Sequence, residues 1–189
     1  MPTPEALATE KYQSGLRNFD LNRVERLRGN VGYLELYGFE PPDFAGEAIA
    51  AAMTFVAHTQ ALIIDVRHNR GGSPAMVALL CSYLLPAYPP THLNDLYWRP
   101  DDSTRQWWSV PYLNAPRYLQ KPVYLLTSQE TFSAAEEFAY NLQVLKRAII
   151  VGEHTAGGAN PGQGYRLQEH FWMFVPTGQS INPVTQDNW

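Results

Sequence analysis

Ser133 is the residue whose position most favours chemistry, because it directly precedes a predicted helix that begins at Ala134. Free N–H groups and the positive end of the helix dipole at such a place stabilise an alkoxide or a tetrahedral oxyanion. Serine is also a favoured N-cap, and Glu136, three residues later, completes the sequence pattern of a capping box. The residues alone therefore leave two interpretations open, a nucleophile and a structural cap.

Two glycine-rich segments could accompany this serine. Gly71 and Gly72 follow an apolar strand and precede a helix, so their N–H groups could point at an anion or a developing oxyanion. A tight strand-to-helix turn would use the same pair of glycines. The segment 152–164 (GEHTAGGANPGQG) leaves a further predicted strand as a flexible loop, and it could equally be a long connection.

All three segments lie where a predicted strand ends. Strands are predicted at 30–37, 61–66, 123–127 and 148–152, with shorter pieces near 93–98 and 106–110 and a hairpin of 165–167 with 171–175. Helices are predicted from the N-cap Asp43 to Val56, from the N-cap Ser73 up to Pro86, and from Ala134 to Leu145. Strands that alternate with helices predict an α/β layered domain, in which functional residues collect at the carboxyl ends of the strands.

The composition excludes several classes of function. The chain has 189 residues, 45% hydrophobic and 17% charged, which is ordinary for one globular domain. Its net charge of −4 and its lack of long basic runs make nucleic acid an unexpected partner. Its apolar runs are far shorter than the roughly 20 residues of a membrane span, so no transmembrane segment is predicted.

Metal and cofactor sites are not predicted either. Cys81 is the single cysteine, which excludes an internal disulfide. His58, His92 and His170 show no ligand-like spacing to one another or to Cys81. No signal peptide is recognisable at the start of the chain.

Together the three segments resemble the carboxyl-terminal processing, or tail-specific, family of serine peptidases. Within this family the chain resembles the branch that is similar to interphotoreceptor retinoid-binding protein and tricorn-type peptidases. The pattern Asp-x-Arg-x-Asn-x-Gly-Gly is matched at 65–72, and Thr-Ser-x-x-Thr-x-Ser-Ala-x-Glu is matched at 127–136. The pattern Lys-Arg-Ala-x-x-Val-Gly-Glu-x-Thr-x-Gly is matched at 146–157. The resemblance covers roughly residues 30 to 185.

This resemblance implies a crotonase-like α/β fold, a layered sheet with covering helices, that acts as a serine peptidase on a peptide or protein substrate. It implies that Ser133 is the nucleophile and that N–H groups of Ala134 and of the Gly71-Gly72 turn form the oxyanion hole. The retinoid-binding relative leaves an alternative open, a non-catalytic domain of the same fold that binds a hydrophobic ligand such as a retinoid or fatty acid.

The general base is where this chain departs from the family pattern. Ser-Lys members carry their lysine at the position of Gly158, so that dyad cannot form. Lys146 lies roughly 18 to 20 Å from Ser133 at the far end of the same helix. We expect a histidine base from outside residues 1–189. His68 and His154 are the internal candidates, because each follows a strand that should run parallel to the one before Ser133.

The resemblance also suggests how the chain is organised. We expect a lead-in segment at 1–29, the end of a missing upstream region, and a peptidase-like domain at 30–189. We expect that domain to be truncated, since the family continues with a Glu-Gly string after Asn188-Trp189. A secreted or periplasmic location is suggested by the family only, and an oligomer is possible. An aromatic group could line a cleft for hydrophobic tails or form a satellite core: Trp98, Trp107, Trp108, Tyr112 and Tyr118.

Overall fold

The computed structural model describes residues 3–189. Its helices and strands, in chain order, are α1 (Pro4–Leu16), β1 (Leu21–Leu27), β2 (Val31–Leu36), α2 (Pro42–Val56), β3 (Ala61–Asp65), α3 (Pro74–Leu84), β4 (His92–Trp98), β5 (Ser103–Trp108), β6 (Val123–Thr127), α4 (Ala134–Val144), β7 (Ile149–Gly152), β8 (Gly162–Gln168), β9 (Phe171–Pro176) and β10 (Gly178–Ile181). A short 3₁₀ turn connects α1 to β1.

The central sheet has five strands in the order β1-β2-β3-β6-β7. Strands β2, β3, β6 and β7 are parallel, and β1 pairs antiparallel with β2. The carboxyl ends of β3, β6 and β7 therefore meet at one edge of the sheet, which is where the three glycine- and serine-bearing segments begin. This is the edge at which α/β sheets place their ligands.

The core forms where α2, α3 and α4 pack against this sheet and one another. Fully buried side chains alternate with partly buried ones along β6 and most of β3, so one face of these strands is buried more completely than the other. The buried residues come from every layer: Ile49, Met53 and Val56 of α2, Leu80 and Leu84 of α3, Phe138 and Leu142 of α4, and Leu62, Ile64 and Leu125 of the strands.

Two smaller β units stand beside this core. One is a three-stranded antiparallel sheet in the order β10-β4-β5, and the other is the hairpin of β8 with β9. The aromatic residues considered above do not gather into one cleft. Tyr118 is buried in the core and bonds Thr59, whereas Tyr112 is 84% exposed and Trp108 stacks on His92.

Two local expectations are corrected, the start of helix α2 and the number of elements. Helix α2 begins at Pro42 with Pro41 as its N-cap residue, so Asp43 lies in the first turn, because proline at the first helical position needs no N–H. Helix α1 and strand β10 are additional elements. Strand β1, within residues 1–29, pairs with β2. No helix within residues 3–189 is long and apolar enough to cross a bilayer.

A cluster of buried polar side chains joins α4 to the smaller sheet. Asn182 donates to Asn141 Oδ1 at 3.1 Å, and the Ser180 hydroxyl donates to Asn94 Oδ1 at 2.8 Å. Glu137 lies among them at 4% exposure, and its Oε1 has no hydrogen-bond partner within the described residues. Burial raises the pKa of this carboxyl to about 8, against the opposing effect of the Asn94 and Asn141 side chains.

Candidate active site

Ser133 is held in a strained backbone conformation at the start of α4. Its φ of 56° and ψ of −122° lie in a region that L-residues other than glycine rarely adopt. Such strain persists only where the surroundings enforce it, and it clusters at functional sites. The Thr131 hydroxyl supplies part of that enforcement: it donates to the Val66 carbonyl at 2.9 Å and accepts from Ser128 N–H at 3.0 Å.

The capping interpretation of Ser133 holds only for its backbone. Ser133 and Glu136 stand in the arrangement of a capping box, and Glu136 Oε2 accepts from Ser133 N–H at 2.6 Å. The Glu136 N–H, however, donates to the carbonyl oxygen of Ser133 at 2.9 Å. The Ser133 hydroxyl makes no capping hydrogen bond within the described residues, which leaves it available for chemistry.

Glu136 joins the serine to the loop that follows β7. Its carboxylate, 1% exposed, also accepts the N–H groups of Gly157 and Gly158 at 2.6 and 2.8 Å. Three charge-assisted hydrogen bonds and the N-terminal end of α4 compensate for burying this carboxylate. We call this arrangement the Glu136 clamp, and it fixes the 157–158 backbone beside Ser133.

The glycine turn after β3 lies directly against Ser133. Gly71 has a φ of +97°, and a Cβ there would lie 2.9 Å from both Ala134 N and Ser133 Cβ, so only glycine fits. Phe132 N–H donates to the Asn69 carbonyl at 3.0 Å, which ties the two loops together. The Gly71 N–H donates to Asn69 Oδ1 at 2.8 Å.

Some N–H groups of these two loops are unused. Within residues 3–189 the N–H groups of Gly72 and Ala134 have no hydrogen-bond acceptor. Ala134 directly follows the strained serine and Gly72 follows Gly71, and unpaired backbone donors are the type of group that stabilises an oxyanion.

An ion pair fixes the start of the glycine turn. Arg67 Nη2 lies 2.6 Å from Asp65 Oδ2, and the Tyr33 hydroxyl donates to the same oxygen at 2.7 Å. Burial alone would raise the pKa of Asp65, but hydrogen bonds from Arg67 and Tyr33 outweigh it and keep the pKa below its usual value. Asp65 and Arg67, the residues of the Asp-x-Arg pattern, therefore hold the start of the loop that leads to Gly71 and Gly72.

Phe132 fills the space beside Gly158, the position where Ser-Lys relatives carry lysine. A Cβ built on Gly158 would lie 2.1 Å from Cε2 of the Phe132 ring. A longer side chain at 158 therefore requires the ring to leave this place. Neither the contact nor the clamp has a signal in the sequence, because residues 132 and 136 lie more than 20 positions from 158.

The two internal histidines have recorded neighbours other than Ser133. His68 lies with Nδ1 3.5 Å from Glu130 Oε2 and its ring edge-on to Tyr37. His154 lines a different groove, beside Tyr140 and Trp189. The cavity that Ser133 lines contains neither histidine. Within the described residues, no cluster of three or more His, Cys, Asp or Glu side chains could hold a metal ion.

We expect Glu136→Gln to loosen the loop at Ser133. Glutamine keeps one accepting oxygen and turns an NH₂ donor toward backbone N–H groups, so the free energy of unfolding should fall by about 3 kcal/mol. Labelling of Ser133 by a serine-reactive probe should slow at least tenfold. Urea denaturation and labelling rates measure both effects.

Glu153→Gln is the matched control for this variant. Glu153 is exposed and accepts a single N–H, from Gln129 at 3.1 Å. The free energy of unfolding of Glu153→Gln should fall by less than about 1 kcal/mol. Equal losses of unfolding free energy in Glu136→Gln and Glu153→Gln would contradict the stabilising role of the Glu136 clamp.

The fold is that of an α/β domain with a strained serine at the carboxyl edge of its parallel strands. More specifically, the model of peptidase family S41 matches residues 30–188, and the chain belongs to this family. The family resemblance carried by the three motifs is thus confirmed, as is the α/β fold.

Individual proteins are similar to this chain in sequence or in fold. The chain is 30% identical over 113 residues, 57% of its length, to the tail-specific protease of Haemophilus influenzae, of which it covers 14%. A Bacteroides fragilis protein assigned to the S41 proteases has a similar fold, with a TM-score of 0.73 and 22% identity over 89% of this chain and 47% of that one.

The photosystem II D1 C-terminal processing protease is similar with a TM-score of 0.62 and 21% identity, over 84% of this chain and 39% of that one. The chain thus spans less than half the length of the relatives named here.

Proposed function

We propose that this protein is a serine peptidase of the C-terminal processing type. The Ser133 hydroxyl attacks a peptide carbonyl, the amine leaves with a proton, and water hydrolyses the resulting acyl-enzyme. The observation that carries the proposal is the strained Ser133 backbone, which presents a hydroxyl free of capping bonds at a helix N-terminus. Membership of a family of serine peptidases supports it.

The N–H groups of Ala134 and Gly72 form the oxyanion hole in this proposal. Both lack acceptors within residues 3–189, whereas the Gly71 N–H is engaged by Asn69. Gly71 then contributes by letting the turn approach Ser133 closely. Preorganised donors of this kind supply a large share of the rate enhancement in acyl transfer.

The general base is neither His68 nor His154 in this proposal. His68 faces Glu130, and His154 lines a separate groove. Each would need to move to accept the proton of Ser133, since a base acts within about 3 Å of the hydroxyl or through one water.

A fluorophosphonate probe tests the proposal on the full-length protein. We expect mass spectrometry to locate the probe on Ser133, and we expect His68→Ala and His154→Ala to label at the unchanged rate. Ser128→Ala is a further control, because that nearby hydroxyl donates to the Arg67 carbonyl and is not the nucleophile.

Two outcomes would count against these assignments. Loss of labelling in a folded histidine variant would assign the base to that residue. A folded protein that never labels and cleaves no peptide would favour the non-catalytic, hydrophobic-ligand-binding alternative.

A further inference from the structure

The cavity beside Ser133 is more apolar than polar, with Ser133 and Asn160 as its polar side chains. It has a volume of about 510 Å³, and the side chains that line it include Phe132, Pro161, Phe174 and Pro176. No Asp, Glu, Lys, Arg or His is among its lining residues. We call this cavity the Ser133 slot. Its size lies within the range of pockets that bury a small ligand.

The hairpin of β8 and β9 forms one wall of the Ser133 slot and presents Phe174 to it. Phe174 lies opposite Gly164 and Pro176 lies opposite Gly162. Directly paired residues share one face of a hairpin, so the partner strand puts no side chain over these rings. Phe174 is consequently 61% exposed.

An apolar surface of this kind gains free energy when an apolar group covers it. A charged side chain in the same place would lose its water without gaining an ion partner. A small side chain such as alanine would cover less of this apolar surface and gain less free energy. The occupant that fits best is a large apolar side chain, carried by the molecule that Ser133 attacks.

We infer that the Ser133 slot binds the side chain of the residue whose carbonyl Ser133 attacks, and that it selects large apolar residues such as phenylalanine or leucine. Phe174 is the specificity-determining residue. This inference rests on the proposed function, because it takes Ser133 as the nucleophile.

Peptidyl phosphonates that differ only in the side chain next to phosphorus test this inference. The labelling rate of Ser133 is measured with phenylalanine, alanine and glutamate analogues. We expect the phenylalanine analogue to react about 100-fold faster than the glutamate analogue. Phe174→Ala should reduce that ratio about tenfold.

Phe171→Ala is the matched control, since Phe171 is an exposed phenylalanine on the same strand that does not line the Ser133 slot. It should keep the wild-type ratio. A wild-type ratio near one, or equal ratios in the two variants, would overturn the inference even though Ser133 reacts. An unlabelled Ser133 with all probes, the fluorophosphonate included, would instead be a failure of the proposed function.

Binding without reaction gives a second measurement. In Ser133→Ala, blocked peptides with a central phenylalanine should shift the amide NMR signals of Gly158 and Gly162, and glutamate peptides should not. Equal shifts with the two peptides, or no shifts at all, would contradict the proposed selectivity of the Ser133 slot. This result would not depend on whether Ser133 is reactive. If Phe174→Ala does not fold, Phe174→Leu replaces it in the labelling experiment.

Discussion

Ser133→Ala should abolish labelling by the fluorophosphonate while changing the free energy of unfolding by less than about 0.5 kcal/mol. Replacing a serine that caps a helix with alanine typically costs about 1 kcal/mol. Here the hydroxyl makes no capping bond, and alanine suffers the same strain at a φ of 56°. Urea denaturation at neutral pH, with labelling in parallel, measures both quantities.

The variant Ser133→Gly tests the backbone strain at this position separately from the loss of the hydroxyl. Glycine removes strain of order 1–3 kcal/mol at this backbone geometry, against a smaller gain in the entropy of the unfolded chain. We expect the glycine variant to be about 1 kcal/mol more stable than the wild type and equally unreactive. If both variants are destabilised by 1 kcal/mol or more, Ser133 acts as a structural cap.

Glu137→Gln should remove a pH dependence of stability worth several kcal/mol. The carboxyl has a pKa of about 8 in the folded protein, against an ordinary pKa of 4.5, so the folded state retains its proton at pH values where the unfolded state has lost it. The stability contribution is complete below pH 4.5 and is lost as the pH rises to about 8. Each unit of pKa difference corresponds to about 1.4 kcal/mol.

Urea denaturation at pH 5 and at pH 8.5 measures the effect. The drop in unfolding free energy should be several kcal/mol larger in the wild type than in Glu137→Gln. Glu130→Gln is the matched control, because that side chain is 55% exposed, and it should follow the wild type. Parallel pH profiles for the wild type and the Glu137 variant would contradict the role of this buried carboxyl.

Local signals in the sequence predicted much of the fold. The run from Val123 to Thr127 and the helix start at Ala134 were predictable, because short β-rich strands and N-cap patterns act over a few residues. Helix α1 was not, because it is largely exposed and Ser14 is its only buried residue among those described. A helix without an apolar face has no periodic signal.

The candidate site, like the fold, was only partly predictable from the sequence. The position of Ser133 could be inferred from the motif and from its place before a helix. The backbone strain and the free hydroxyl could not, since both depend on contacts between loops. Glu136 resembled half of a capping box, but its bonds to Gly157 and Gly158 connect segments 21 and 22 residues apart.

The contact between Phe132 and Gly158 has an evolutionary consequence. Because the ring occupies the space of a side chain at 158, a side chain at that position requires the ring to move or to be replaced by a smaller group. A substitution of lysine at 158 is compatible with this geometry only when the residue before the serine is small or its ring turns away. Among relatives, lysine at the position of Gly158 should therefore co-occur with a small residue at the position of Phe132, and glycine with an aromatic one, so that the two residues covary.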